Sequence, residues 1–205
     1  FYDPVVLYVP EGCVDAYRNA EYWSNIANIK EFPFEVDGLY YEVISDNTAA
    51  VMPNRKGTYS GEINIPATIV HNGATYQVTT IGKRAFAHCY DITEFVIPPH
   101  ITIIEDEAFM GCKGITSITI PASVMFIGNN AFNESGLTSV VIEDRDEPLS
   151  LSDLCDGSPL YELYLGRNLI YDGYTISSPF PESLTNVTIG DKVTSLNVGI
   201  FYGCW

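Results

Sequence analysis

The sequence predicts a mainly β solenoid, a stack of units about 23 residues long with two short strands in each. Three features of spacing predict it. Five apolar segments of the form LxxLxL start at Ile92, Ile115, Leu137, Leu160 and Leu184, and successive starts lie 23, 22, 23 and 24 residues apart. Phe86, Phe109 and Phe132 recur every 23 residues, with Phe201 three periods further on. Cys89 and Cys112 keep the same beat, Ser135 takes the third turn, and Cys204 returns after three periods. A unit of this size cannot bury its own apolar face, so it has to stack on its neighbours.

Within a unit the first strand alternates inward and outward after its opening residue. The inward pairs are Phe95 and Ile97, Ile118 and Ile120, Val140 and Ile142, Leu163 and Leu165, Val187 and Ile189. Pro98 and Pro121 end two of these strands by withholding a ladder donor. A second short strand, such as 124–127, is expected on the opposite wall. Gly82 or Gly128 then permits a tight bend, and the Ala-Phe pairs at 85–86, 108–109 and 131–132 drop a ring into the core. After Ile142 the stretch 143–159 lacks these elements and 166–183 keeps only the spacing. Those two coils are expected to be irregular on the wall opposite the first strand.

The unit ITSITIPASVMFIGNNAF at 115–132 resembles, nearly residue for residue, the BspA-like leucine-rich repeat of the Treponema pallidum type found in bacterial surface proteins. Matching units cover most of 78–136 and return at 184–204. The resemblance implies a leucine-rich-repeat solenoid, and attachment to extracellular matrix and co-aggregation as the kind of work it does.

The two ends follow from that resemblance. Residues 1–33 look like the exit of an array: VVLYVP at 5–10 resembles a last repeat strand, and EGCVDAYRNAEYW reads as a short helix with Cys13, Ala16, Tyr17 and Ala20 on one face. Residues 34–83 look like an opening cap. Asp37-Gly38 offers a tight turn between FEV and LYYEVI, GEINIP at 61–66 resembles a first irregular repeat strand, and Asn72-Gly73 supplies another turn. A β-hairpin there would cover apolar core and free strand edge. The leucine-rich repeats proper then occupy 84–205. An exit cap therefore precedes an opening cap, so 1–33 is expected to finish a preceding array, or to cap a neighbouring molecule.

Composition narrows the function. The chain of 205 residues carries a net charge of −16, with ten Lys and Arg in all. That disfavours nucleic acid, whose phosphates need clustered cations, and it repels anionic membranes. No apolar run is long enough to span a bilayer. Five cysteines form no CxxC pair, so a zinc site is not expected. The ladder cysteines take a core position where Ser135 also serves, which favours packing over redox chemistry. Stacked coils could bring Cys89 and Cys112 within disulfide reach, whereas the resemblance implies reduced thiols.

Candidate chemistry is sparse. His71, His88 and His100 stand apart from any Cys or carboxylate at metal-ligand spacing, and no GxSxG, HExxH, P-loop or GxGxxG occurs. Neither catalysis nor a cofactor is expected. Glu143, Asp144, Asp146 and Glu147 cluster without the DxDxDG arrangement of a calcium loop, and are read as a solvated loop.

The outward strand positions remain. They form rows: Val96, Thr119, Val141, Tyr164, Thr188; Glu94, Ser117, Ser139, Glu162, Asn186; Thr93, Thr116, Thr138, Tyr161, Thr185. Thr and Ser are good strand formers and need no function. Tyr161 and Tyr164 interrupt the rows with two amphipathic rings beside Glu162, a chemistry enriched where proteins bind proteins and sugars. The alternative is a ring pair that packs an irregular coil. The expected binding residues are Tyr161, Glu162, Tyr164, Val141, Ser139 and Asn186, and the expected partner is an extracellular or host protein, with a glycan or a ligand-free spacer as alternatives. The expected location is extracellular or the bacterial cell surface.

Overall fold

Residues 5–23, 25–171, 178–196 and 199–204 are described by a computed structural model. The chain opens with β1 (Val6–Val9), the short helix α1 (Val14–Arg18) and β2 (Asn28–Glu31). β1 and β2 pair in parallel, Val6 opposite Asn28. This pair meets the rest of the chain through polar contacts: Lys30 with Glu42, Glu11 with His71 and Asn72, and the Arg55 guanidinium 4.1 Å from the Phe32 ring centre.

The next segment is a meander. β3 (Phe34–Val36), β4 (Leu39–Ser45) and β5 (Thr48–Met52) pair antiparallel in turn. The expected turn is present, with Asp37 and Gly38 both at positive φ (49° and 83°), as a two-residue loop matched to strand twist requires. β6 (Thr68–His71) and β7 (Ala74–Ile81) form a second hairpin around Asn72 and Gly73. β5 also pairs in parallel with β7, which welds the cap to the first coil.

The solenoid then builds two walls. The back wall continues from β7 through β8 (Ile103–Ile104) and β10 (Phe126–Ile127) to β12 (Leu149–Leu151) and β14 (Leu169–Tyr171). The front wall is β9 (Ser117–Ile120), β11 (Ser139–Ile142), β13 (Glu162–Leu165) and β15 (Asn186–Ile189), all parallel. The fold is mainly β, with very little helix.

A third line of hydrogen bonds runs along the Ala-Phe turns. Phe86 N–H donates to the Ala108 carbonyl, Phe109 to Ala131, and Phe132 to Leu154. Arg84, Glu107 and Asn130 hold left-handed φ near 57° at 23-residue intervals, an arrangement that composition alone does not reveal. The rings stack inside: Phe86 on Phe109 at 5.3 Å, and Phe109 on Phe132 at 4.9 Å with planes 2° apart. Close approach of coils demands glycine at position 136, where an added Cβ would lie 2.1 Å from the Lys113 carbonyl oxygen.

The back wall continues through 143–171, where Leu149 and Leu151 supply a buried alternation in place of the missing motif, with partners 24 and 20 residues away and not 23; positions 172–177 of that stretch lie outside the described residues. One expectation is corrected: among the described residues the front ladder has four strands, not five. Residues 92–97 bury Ile92, Phe95 and Ile97, yet they join no sheet, and neither do 61–66.

Proline removes one rung. In the regular part of the front wall the residue after each strand donates backward: Glu143 to Ile120, Gly166 to Ile142, Gly190 to Leu165. Pro121 occupies that place after β9 and has no N–H to give the Ile97 carbonyl. Pro98 does the same one coil earlier. Inward packing survives, and the main-chain rungs do not.

Candidate functional site

The front wall presents its outward residues in strict register. Ser117, Ser139, Glu162 and Asn186 stand opposite one another, and beside them Thr119, Val141, Tyr164 and Thr188. Strand alternation dictates this, since Ile118, Val140 and Leu163 must face inward. The structure therefore brings five of the six expected residues into two adjacent rows. Tyr161 lies just before β13, in the third row.

That third row is partly structural. The Thr116 carbonyl accepts from the Thr138 and Ser139 N–H groups, and the Thr138 hydroxyl donates to it as well at 3.0 Å. The Tyr161 carbonyl is used in the same way by Thr185 and Asn186, while its ring stays 48% exposed. Tyr164 behaves differently. Its hydroxyl donates to both carboxylate oxygens of Asp144, at 3.1 and 3.0 Å. That hydrogen bond raises the Tyr164 pKa above its ordinary value. Gly190 makes room for the pair, because a Cβ there would stand 2.5 Å from the carboxylate and 2.7 Å from the hydroxyl.

The acidic run is committed to the fold. Glu143 accepts from the Ala122 N–H at 2.8 Å, Asp144 holds Tyr164, Asp146 pairs with Lys192 at 2.8 Å, and Glu147 pairs with Arg145 at 2.7 Å. Among the described residues no group of three or more His, Cys, Asp or Glu is placed to hold a metal ion.

Sequence reasoning missed Arg167. Its side chain is fully buried, with 0% exposure, beneath the turn that follows β9. It donates to the carbonyls of Pro121 at 3.1 Å and Ala122 at 3.2 Å, and its Nε has no partner. Burial, with Arg145 close by, lowers its pKa to about 10. A lone arginine in an otherwise unpatterned coil gave no periodic signal to find it by.

The other missed feature is a pair of hollows in the front face. One, of about 520 Å³, lies between 95–99 and 117–121 and reaches Ser139, Val141 and Glu143. The second, of about 760 Å³, lies between 61–65 and 91–100. They flank the unpaired segment 92–97, and Val96, 78% exposed, belongs to both. Of the expected site residues, Ser139 and Val141 reach the first hollow. Tyr161, Glu162, Tyr164 and Asn186 line neither.

A family model described as BspA type Leucine rich repeat region matches residues 79–205 in six copies. Among solved structures, the chain is similar to a leucine rich cell surface protein from Faecalibacterium prausnitzii A2-165, at 22% identity and a TM-score of 0.46. That alignment covers 84% of this chain and 52% of that one, so the chain spans about half of its length. It is also similar to a leucine-rich repeat protein from Bacteroides ovatus ATCC 8483, at 15% identity and a TM-score of 0.23, over 84% and 80% of the two chains. No curated protein matches. Among the described residues no helix is long and apolar enough to cross a membrane.

Proposed function

Because the chain belongs to the family of BspA-type leucine-rich repeats, whose pattern spans more than half of it, we propose that it is an adhesion module. It is exported to the bacterial cell surface or beyond, and it binds an extracellular or host protein through the front wall. The family supports the general role of an interaction scaffold. The observation that supports this face is the register of its outward rows, which sets Ser139, Glu162 and Asn186 in one line and Val141 and Tyr164 in the next. A rigid ladder with strands about 4.8 Å apart holds such side chains at fixed separations, so little ordering cost remains on binding. Tyr161 adds an amphipathic ring of the kind that dominates binding energy at interfaces.

One observation favours a second reading, carbohydrate binding: the Tyr161 ring is half-exposed on the front wall. The Tyr164 ring is a poorer platform, since Asp144 holds its hydroxyl. The same proposal takes 1–33 as the closing coil of a preceding array, a reading supported by the parallel pairing of β1 with β2 across 22 residues, Val6 opposite Asn28.

A panel of purified matrix proteins and glycans separates these readings. The expected result is a protein ligand whose affinity falls about tenfold or more in Tyr161→Ala, a loss of the size seen at interface hot spots. A glycan that depends on Tyr161 would install the second reading instead. Binding that is indifferent to Tyr161→Ala, Glu162→Gln and Asn186→Ala together would remove the proposed site, and no binding at all would leave a spacer.

A further inference from the structure

The junction between 1–33 and the cap carries chemistry independent of the front wall. We propose that Asn72 modifies itself: it loses its side-chain amide to the Gly73 main-chain nitrogen, with His71 as proton donor. The carboxylate so formed repels Glu11 and frees 1–33 from the cap. Of the asparagines in the sequence, only Asn72 precedes a glycine. Gly73 has no side chain to shield its nitrogen, and the space around it is open, since even an added Cβ would meet no atom within 4 Å. The two residues form the exposed loop of the β6–β7 hairpin, both at positive φ (51° and 78°). The hairpin pairs His71 with Ala74 across that loop, and among the described residues the Gly73 N–H has no main-chain acceptor. The attacking nitrogen is therefore uncommitted.

The leaving group is held from two sides. Asn72 Nδ2 lies 3.2 Å from His71 Nε2 and donates to Glu11, whose Oε1 lies 3.6 Å from the same imidazole nitrogen. The imidazole is held in place by its stack on Phe34, 3.5 Å between ring centres with planes 6° apart. A proton on Nε2 thus has the amide nitrogen on one side and a carboxylate on the other, the position a general acid needs. In the step, Gly73 N bonds to Asn72 Cγ and the Cγ–Nδ2 bond breaks. Nδ2 leaves as ammonia with a proton from His71, and the proton that Gly73 gives up replaces it. Water then opens the cyclic imide at either carbonyl, leaving aspartate or its β-linked isomer. A hollow of about 400 Å³ lined by Phe32, Glu42, His71 and Asn72 admits that water. The product inverts a contact. Glu11 faces a carboxylate where it had a donor, and a neutral imidazole has one N–H to offer the two of them. Lys30 with Glu42 and Arg55 on Phe32 are then left to hold 1–33 to the cap.

The test keeps the whole chain near neutral pH and follows Asn72 by peptide mapping, with aspartate and isoaspartate told apart by isoaspartyl methyltransferase labelling. A capped peptide of residues 68–77 runs beside it. The folded chain is expected to convert at least as fast as the peptide, although a rigid hairpin alone would slow it. His71→Phe keeps a ring on Phe34 without a ring nitrogen, and should slow the folded chain about tenfold or more. The same substitution in the peptide should leave its rate unchanged, because nothing there holds the imidazole in place. A folded chain slower than the peptide, or equal rates for His71→Phe and the unaltered chain, overturns the self-modification. Asn72→Asp stands in for the product in small-angle scattering, where a larger radius of gyration is expected. Adding Glu11→Gln, which again sets an amide against a carboxylate, should reverse the expansion. No expansion in Asn72→Asp, or one that Glu11→Gln leaves in place, overturns the release.

Discussion

At the scale of single residues, the cysteine ladder shows what a repeated core position asks for. Cys112 donates its thiol to the Phe86 carbonyl one coil back, at 2.9 Å, and the Ser158 hydroxyl does the same for Phe132 at 3.0 Å. Ser158 belongs to the series 89, 112, 135, 158, and the sequence pattern did not single it out, because a serine after an irregular coil looks like a loop residue. At Cys112 and Ser158 the position thus holds a small buried donor, whether sulfur or oxygen. All five cysteines are free thiols. We expect Cys112→Ser to stay within about 1 kcal/mol of the wild type in urea titration. Cys112→Val, which removes the donor and adds a branched side chain, should cost about 1–3 kcal/mol. A serine variant less stable than the valine variant would mean that apolarity, not donation, rules this position.

At the scale of elements, Arg167 braces one coil against another two turns away. Both of its acceptors have other donors: Val124 N–H also serves the Pro121 carbonyl, and Arg145 serves that of Ala122. Among the described residues the guanidinium has no direct carboxylate partner, and its Nε is orphaned. Volume should therefore matter more than charge. Arg167→Met is expected to lie within about 1 kcal/mol of the wild type, since a buried charge is often replaceable by an apolar side chain. Arg167→Ala, which leaves a hole under the turn after β9, should cost about 2–5 kcal/mol. Equal losses in denaturant titrations of the two variants would restore the charge to the central role. The same comparison shows where the sequence was legible. Inward positions such as Ile118, Val140 and Leu163 repeat because each coil buries them against the next, and this periodicity revealed the front wall. Whether adjacent strands share rungs depends on several N–H groups per coil, and a proline after the strand withholds one of them. Pro98 and Pro121 were visible as strand ends, but their effect on the neighbouring coil was not. Arg167, whose partners lie 45 and 46 residues away, leaves no trace in any local pattern.

At the scale of the whole molecule, stability should fall in alkali for reasons distributed along the stack. Each coil is held mainly by its neighbours, so a disturbance anywhere in the core propagates. Burial pushes the Cys112 and Cys155 thiols from 9.0 up to about 12, and the Tyr59 hydroxyl from 10.0 up to about 12; it raises Tyr41 as well. Tyr59 is further fixed by accepting from Tyr40 N–H at 2.9 Å and donating to the Met52 carbonyl at 2.8 Å. These groups ionise more easily in the unfolded chain than in the folded one. Their contribution to stability is complete below the unfolded values and is lost as pH climbs toward the folded ones. The window therefore opens near pH 9 for the thiols, near 10 for the tyrosines, and closes around 12. Tyr41 and Tyr59 sit in the cap, Cys112 in the middle coils and Cys155 beyond them, so the cap and the repeats should weaken together and not fray from one end. Thermal melts between pH 7 and 11 should show a steady melting temperature up to about pH 9 and a progressive fall above it. Replacing Cys112 and Cys155 by Ser, whose hydroxyl does not titrate there, should flatten the first part of that fall. A melting temperature that holds to pH 11 in the unaltered chain would show that these burials do not couple to folding.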